Sequence, residues 1–129
     1  MIKDNIQNIL VVEDDKLSQF VIVEMCRELG YRCTMAEDGE ACLEVLTSAP
    51  HDFNIILMDI HMPKVSGLEA SSAIRASETD PPKNLPIVAV TADAHWHNPH
   101  RCRAHGFDAV IPKPVTLAAL SNVLRAFGN

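Results

Sequence analysis

The chain has 129 residues, of which 47% are hydrophobic, and its 11 basic and 17 acidic side chains give a net charge of −6. This length allows one domain with a sizeable core, and no stretch approaches the roughly 20 apolar residues of a membrane span. The acidic balance argues against a nucleic-acid surface and favours a protein partner or a small charged ligand. The N-terminus has neither a basic start nor an apolar signal region, so we expect a cytoplasmic protein.

Five short apolar runs alternate with helix-like segments along the chain. The runs are continuous rather than alternating, which is typical of parallel strands covered on both faces. They lie near 8–13, 32–36, 53–58, 86–91 and 108–112. This alternation predicts an α/β fold with a doubly wound five-stranded parallel sheet. We expect a single domain over residues 1–129 with its core at 8–127.

Helical periodicity places one helix after each strand. The first has Leu17, Val21, Met25 and Leu29 at four-residue spacing beside Phe20, and Gly30 can end it.

Sequence signals place the other four helices. Asp38 is expected to cap the second helix, which ends before Pro50. A third helix is predicted for 67–75 and a fourth for about 95–105. Thr116 can cap the fifth.

Polar side chains follow four of the five predicted strands. Glu13-Asp14-Asp15 follow the first, Asp59 the third, Thr91 the fourth and Lys113 the fifth. The carboxyl ends of parallel strands share one edge, where ligands of such sheets bind. We therefore expect these side chains to meet there.

The residue types at this edge indicate phosphoryl chemistry. Glu13, Asp14 and Asp59 would repel one another unless a cation intervened, and oxygen ligands favour Mg²⁺. Lys113 supplies a compact cation and Thr91 a hydroxyl, the complement of a phosphoryl group in transfer. Asp59 would then be the nucleophile.

Four ordered motifs resemble the receiver domain of two-component response regulators. They are ILVVEDD at 9–15, LMDIHMP at 57–63 with Gly67, VTA at 90–92, and Lys113-Pro114. The resemblance implies a flavodoxin-like receiver fold with strand order 2-1-3-4-5.

The resemblance also implies roles for the residues that bind metal and phosphate. Asp59 matches the phosphoacceptor. Asp14 matches a direct Mg²⁺ ligand, Glu13 a ligand acting through water, and the carbonyl of His61 a backbone ligand. Asp15 we interpret as a cap of the first helix.

Three further positions concern the conformational change that the resemblance implies on phosphorylation. Thr91 matches the hydroxyl that moves toward the phosphoryl group, and Lys113 matches the ammonium that pairs with it. The peptide bond before Pro114 is expected to be cis. Val110 stands where receivers often have Tyr or Phe, so the usual aromatic swing has no aromatic side chain here.

The implied function is a phosphorelay switch rather than an enzyme acting on a separate substrate, although the domain would catalyse its own phosphorylation and dephosphorylation. The phosphodonor would be a histidine kinase or a histidine phosphotransfer domain. A downstream protein would bind the face of the fourth helix, fifth strand and fifth helix. Neither nucleic acid nor membrane is expected to bind this domain. The motifs resemble receivers of hybrid kinases more than those of transcriptional regulators.

Three alternatives differ in chemistry. A dehalogenase-like Mg²⁺-dependent phosphatase also uses an aspartate nucleophile, but its general-acid position is His61 here. A flavodoxin-like electron carrier would need a hydroxyl- and glycine-rich phosphate loop where this chain has Glu13-Asp14-Asp15. A pseudo-receiver would be a binding module without phosphorylation, yet all the required groups are present.

The remaining reactive side chains indicate no second site. Cys26, Cys33, Cys42 and Cys102 lack zinc-site spacing and are expected to be reduced thiols. The segment 95–100 holds three histidines and Trp96, which could bind a metal. Pro99 disturbs the helical spacing such a site would use. Trp96 we interpret as a partner contact, with packing inside its own domain as the alternative.

Overall fold

The computed structural model describes residues 7–127, which form one parallel sheet flanked by helices. The strands are β1 (Asn8–Val12), β2 (Arg32–Ala36), β3 (Ile55–Asp59), β4 (Ile87–Thr91) and β5 (Ala109–Pro112). The helices are α1 (Lys16–Glu28), α2 (Gly39–Ser48), α3 (Gly67–Arg75), α4 (Pro99–Ala104) and α5 (Leu117–Phe127), with 3-10 turns at Pro50–Asp52 and Ala94–Trp96. The strand order is β2-β1-β3-β4-β5, so the predicted fold is confirmed.

The register of the sheet aligns the ends of its strands. Val12 pairs with Met58, and Asp59 pairs with Val90. Thr91 pairs with Pro112 on the last strand. The residues at and just after these positions therefore share one edge of the sheet.

Alternate strand residues face two separate hydrophobic layers, because successive side chains of a strand point to opposite faces. Leu10, Ile56 and Ala89 pack against α2, α3 and the Trp96–Phe107 region. Ile9, Leu57 and Val88 belong to the second layer, which also contains residues of α1 and α5. No helix within residues 7–127 is long and apolar enough to cross a bilayer.

The predicted helix ends agree closely with the structure. Asp15, Asp38 and Thr116 accept hydrogen bonds from backbone N–H groups in the first turns of α1, α2 and α5. Gly30 ends α1 with a positive φ of 91°. α3 has a capping box in which Ser66 and Glu69 bond each other's backbone N–H groups.

The predicted apolar face of α1 was wrong in its first half. Leu17 and Phe20 are 71% and 63% exposed, whereas Ile22 and Cys26 are buried. A four-residue spacing drifts by about 40° per step around a helix of 3.6 residues per turn. The series that begins at Leu17 therefore starts on the solvent side and reaches the sheet only at Met25 and Leu29, which pack against the second layer.

The fourth helix is also shorter than predicted. Instead of one helix over 95–105, a 3-10 turn at Ala94–Trp96 precedes α4. Pro99 has no N–H to give to a helical ladder, so it takes the first helical position. Asn98 caps α4 by accepting from the backbone N–H groups of His100 and Arg101.

Candidate active site

The candidate site lies at the carboxyl edge of the sheet. Asp59 and Thr91 are the last residues of β3 and β4, while Glu13 and Lys113 directly follow β1 and β5. Glu13, Asp59 and Thr91 are buried, whereas Asp14 is exposed. The structure thus brings together the side chains that the sequence predicted to meet.

Three carboxylates share this edge with one ammonium group. Glu13, Asp14 and Asp59 each offer an oxygen within 4.8 Å of the others. The Lys113 Nζ lies 2.8 Å from Glu13 Oε1 and 3.5 Å from Asp59 Oδ2. Among the described residues, these three form the one group of acidic, histidine or cysteine side chains with metal-binding geometry.

The backbone around Glu13 holds this residue in place. Its Oε2 accepts a 3.1 Å bond from the Asp15 N–H, and its carbonyl accepts a 2.6 Å bond from Gln19 Nε2. Asp15 itself turns outward and accepts from the Ser18 N–H at 2.9 Å. Asp15 is therefore a helix cap, as expected, and not a member of the acidic cluster.

Burial and the neighbouring charge of Glu13 raise the pKa of Asp59 to about 6, although Lys113 opposes the shift. The His61 N–H also points to Asp59 Oδ1 at 3.4 Å, a weak bond that favours the ionised form. At neutral pH the carboxylate is mostly ionised. The Asp59 carboxylate is therefore ionised at neutral pH in a place where burial and the charge of Glu13 disfavour its charge.

Lys113 is fixed as a cation by the same cluster. Burial alone would lower the pKa of its amine, but the hydrogen bond to Glu13 and the charges of Asp59 and Glu13 outweigh burial and raise it. The peptide bond between Lys113 and Pro114 is cis, as the resemblance implied.

The donor set fits Mg²⁺. The three side chains offer only carboxylate oxygens, the ligands that hard divalent cations prefer. Two of the carboxylates are buried and one is exposed, so a bound ion could keep water ligands on its outer side.

Thr91 is oriented by the loop that follows β4. Its Oγ1 accepts a 3.0 Å bond from the Asp93 N–H, and its carbonyl oxygen lies 2.9 Å from His97 Nε2. Val110, in β5, is half-buried and packs against the hydrophobic layer that contains Trp96. The aromatic residue of the usual switch is thus replaced by a small aliphatic one.

Sequence reasoning missed a hydrogen bond across the rim of the site. His61 Nε2 lies 2.9 Å from Asp93 Oδ2, and this bond is the main cause that holds the pKa of Asp93 below its usual value. Each residue stands two positions after the polar end of its strand, and β3 and β4 are neighbours. That parallel spacing was the signal that could have revealed the pair.

The histidine-rich segment does not form a metal site in the structure. His95 and His100 contact Arg101 and Arg103, while His97 bonds the Thr91 carbonyl. Trp96 is only 8% exposed, so packing inside its own domain replaces the predicted partner contact. All four cysteines are free, as expected.

Comparison with known proteins gives a consistent match. A family model described as response regulator receiver domain matches residues 9–125. The sensor histidine kinase RcsC of Salmonella typhi is 36% identical over 94% of this chain, and the hybrid signal transduction histidine kinase M of Dictyostelium discoideum is 34% identical over 91% of it. The chain spans 12% and 5% of the length of these two proteins.

Solved structures agree in fold. The receiver domain of the sensor histidine kinase PA1611 from Pseudomonas aeruginosa, with a magnesium ion coordinated in its active-site cleft, is 36% identical with a TM-score of 0.79 and covers 95% of this chain and 97% of that chain. The receiver domain of Ssk1 from Saccharomyces cerevisiae, in complex with the histidine phosphotransfer protein Ypd1, is 26% identical with a TM-score of 0.83, covering 95% of this chain and 89% of that chain.

The raised pKa of Asp59 predicts an unusual pH dependence of stability. A carboxyl whose pKa is higher in the folded state favours folding at low pH, and this contribution is lost as the pH rises through about 6. Without metal, Asp59→Asn should therefore raise the free energy of unfolding by about 1–3 kcal/mol near pH 7.5.

Urea unfolding with a chelator, at about pH 4.5 and pH 7.5, measures this difference, which should shrink at the lower pH. Asp15→Asn is the matched control, because Asp15 lies outside the cluster and its backbone bond to Ser18 lowers its pKa. Equal pH dependence of wild type and Asp59→Asn would contradict the assignment.

Proposed function

This chain belongs to the response regulator receiver family of two-component systems, and we propose that it accepts a phosphoryl group from a phosphohistidine onto Asp59. A carboxylate oxygen of Asp59 forms the new P–O bond as the P–N bond of the donor breaks. The imidazole nitrogen keeps the electron pair of that bond and takes a proton from solvent. The proposed unit is the single domain of residues 1–129 with its core at 8–127.

The observation that carries this proposal is the pairing of a buried nucleophile with a fixed cation. Lys113 Nζ is 3.5 Å from Asp59 Oδ2 while its bond to Glu13 holds it in place. An ammonium at this distance can attract the phosphoryl oxygens and offset their charge during transfer. Thr91 adds a hydroxyl at the end of the next strand, where it can donate to a phosphoryl oxygen once Asp59 is modified.

Mg²⁺ fits the same site as the cofactor. We assign its direct ligands to Asp14, Asp59 and the carbonyl of His61, with Glu13 acting through water. When bound there, Mg²⁺ supplies positive charge that offsets both the carboxylates and the phosphoryl oxygens. The magnesium ion in the cleft of the PA1611 receiver domain supports this assignment.

We favour the phosphorylation switch over the phosphatase and the pseudo-receiver. A phosphatase of the aspartate-nucleophile class needs a carboxylic acid two positions after Asp59, and His61 in that place is paired with Asp93. A pseudo-receiver would have no need for a cluster of two buried carboxylates, Glu13 and Asp59, with the half-buried Lys113. The same domain is proposed to catalyse its own dephosphorylation.

The exposed part of α1 supports a docking site for the phosphodonor. Leu17, Phe20 and Val21 are the large hydrophobic side chains exposed in residues 7–127. Leu17 and Val21 border a groove that continues to Lys113 and Pro114, and Lys113 contacts the proposed phosphoacceptor Asp59. We assign this patch to a domain that carries the phosphohistidine, of the histidine kinase or histidine phosphotransfer class. The Ypd1–Ssk1 complex supports the second class.

The relatives support a function in signalling together with histidine kinases. RcsC and kinase M are themselves histidine kinases, and their similarity to this chain agrees with the expected likeness to hybrid-kinase receivers. The output face is proposed to comprise α4, β5 and α5.

Phosphorylation by a small acyl phosphate tests the chemistry directly. Wild-type protein should be labelled only with Mg²⁺, and Asp59→Asn should abolish the label. Asp14→Asn should need roughly tenfold more Mg²⁺, because it loses a charged ligand. Asp15→Asn, the neighbouring carboxylate, should behave as wild type. Undiminished labelling of Asp59→Asn, measured by intact mass, would refute the proposal.

Lys113→Ala tests the role of the ammonium group. The variant should still bind Mg²⁺, since all metal ligands remain, but should lose most of the spectral change that phosphorylation causes in α4, β5 and α5. Lys83→Ala, an exposed lysine in the 79–84 loop, serves as control. A full spectral response in Lys113→Ala, measured by amide NMR shifts, would contradict its role.

Phe20→Ala tests the docking patch. Transfer from a phosphorylated histidine phosphotransfer domain should slow by about tenfold, as expected when one aromatic anchor is lost. Labelling by the acyl phosphate should not change, because this donor needs no patch, so it serves as internal control. Equal slowing with both donors would place the defect in the site and not in docking.

A further inference from the structure

The carbonyl oxygen of Thr91 is bound from two sides. The backbone N–H of Lys113 donates to it at 2.9 Å, and the His97 ring lies 2.9 Å away through Nε2. A carbonyl can only accept, so His97 Nε2 carries the proton in this bond. Thr91 is 1% exposed and His97 is half-buried, which shields the bond from water. The Thr91 carbonyl oxygen thus joins Lys113, which directly follows β5, to His97, which directly follows the 3-10 turn.

His97 is in turn joined to α4. It follows Trp96 directly, and its N–H donates to the Ala94 carbonyl at 3.1 Å. The Trp96 carbonyl accepts a 3.0 Å bond from the Cys102 thiol, and the Trp96 ring meets the His105 ring edge-on with centroids 5.0 Å apart. These contacts make the 3-10 turn and α4 one packed unit, so a displacement of His97 reaches the helix.

The usual partner of the threonine is missing in this chain. Val110 is too small to swing between two positions as an aromatic ring would, and it packs against the layer that holds Trp96. Two contacts lead from Thr91 toward α4. The hydroxyl accepts from the Asp93 N–H at the start of the 3-10 turn, and the carbonyl is bound by His97 at the end of that turn, nearer to α4.

We propose that His97 is a positioning residue that transmits the displacement of Thr91 to α4, in place of the absent aromatic switch. The inference rests on the proposed phosphorylation of Asp59. When Thr91 moves toward the phosphoryl group, its carbonyl moves with it, and the His97 bond pulls or releases the turn at Ala94–Trp96. The Thr91 hydroxyl bonds the phosphoryl group, and the Thr91 carbonyl passes the displacement on to His97.

The single tryptophan of the chain provides the readout. In ¹⁵N-labelled protein its indole N–H gives one NMR signal inside the unit that should move. Acyl phosphate with Mg²⁺ should shift this signal and the amides of α4 in the wild type. In His97→Ala the shifts, divided by the phosphorylated fraction measured by mass, should fall by at least half. The normalisation separates transmission from any change in the extent of phosphorylation.

Two further variants separate the hydrogen bond from a merely structural role. His97→Gln keeps an N–H donor near the position of Nε2 and should restore most of the shift. His100→Ala removes an exposed histidine of the same segment, one that contacts Arg103, and should respond as wild type. If His97→Ala does not fold, His97→Asn, whose amide is too short to reach Thr91, takes its place.

Each result supports or overturns the inference. Full normalised shifts in His97→Ala, or equal loss in His97→Gln and His97→Ala, would overturn it. A Thr91→Ala/His97→Ala double variant should lose no more than Thr91→Ala alone, because both residues lie on one route. A substantially larger loss would mean separate routes and would also overturn it. Absence of label in the wild type is a different failure, which refutes the proposed function and this inference with it.

Discussion

The imbalance of charge at the carboxyl edge of the sheet governs the rest of the site. Three carboxylates converge there, and Lys113 is the one ammonium within 4.0 Å of two of them among the described residues. The lysine satisfies Glu13 at 2.8 Å more closely than Asp59 at 3.5 Å. Asp59 is therefore left partly uncompensated in a buried place, which raises its pKa to about 6. A divalent cation would offset this excess of negative charge, whereas the phosphoryl group that we propose for Asp59 would add to it, so the proposed phosphorylation depends on the same cation and on Lys113.

The fold and the membership of the site follow from the sequence because both depend on strand ends. Continuous apolar runs identify the buried parallel strands, and a parallel sheet brings all their carboxyl ends to one edge. Asp59, Thr91 and Lys113 could therefore be placed together although up to 54 positions separate them in the chain. Asp15 could be separated from the acidic pair because a helix begins directly after it.

The features that the sequence did not predict depend on how far a helix turns between two residues and on how far side chains extend. A linear pattern of residue types shows neither directly. Leu17 shares a four-residue spacing with Met25, yet the helix has turned between them and only the second faces the sheet. His61 and Asp93 lie in two loops that are far apart in the sequence. Only the register of β3 with β4 indicates that these two side chains can bond each other. The role of Trp96 was hard to predict because one aromatic residue in a polar segment can be either an exposed partner contact or a buried core residue. Its edge-on ring contact with His105 and the bond from the Cys102 thiol to its carbonyl indicate a buried core residue.

The two hydrophobic layers place the proposed donor patch and α4 on opposite sides of the sheet. The exposed patch of α1 belongs to the side of the sheet where Ile22 and Cys26 pack, whereas Trp96 and Cys102 pack on the opposite side. Strands β3 and β4 contribute alternate residues to both layers, and Asp59, the proposed phosphoacceptor, is the last residue of β3. The proposed donor patch on α1 and the helix α4 therefore lie on opposite sides of the sheet. In the proposed switch, the bond from His97 to the Thr91 carbonyl connects the phosphorylated site to the turn at Ala94–Trp96. Of the proposed output face, α4 packs on the opposite side of the sheet from α1, whereas α5 shares the layer of α1, and Asp59 and Thr91 end neighbouring strands at the edge common to both sides.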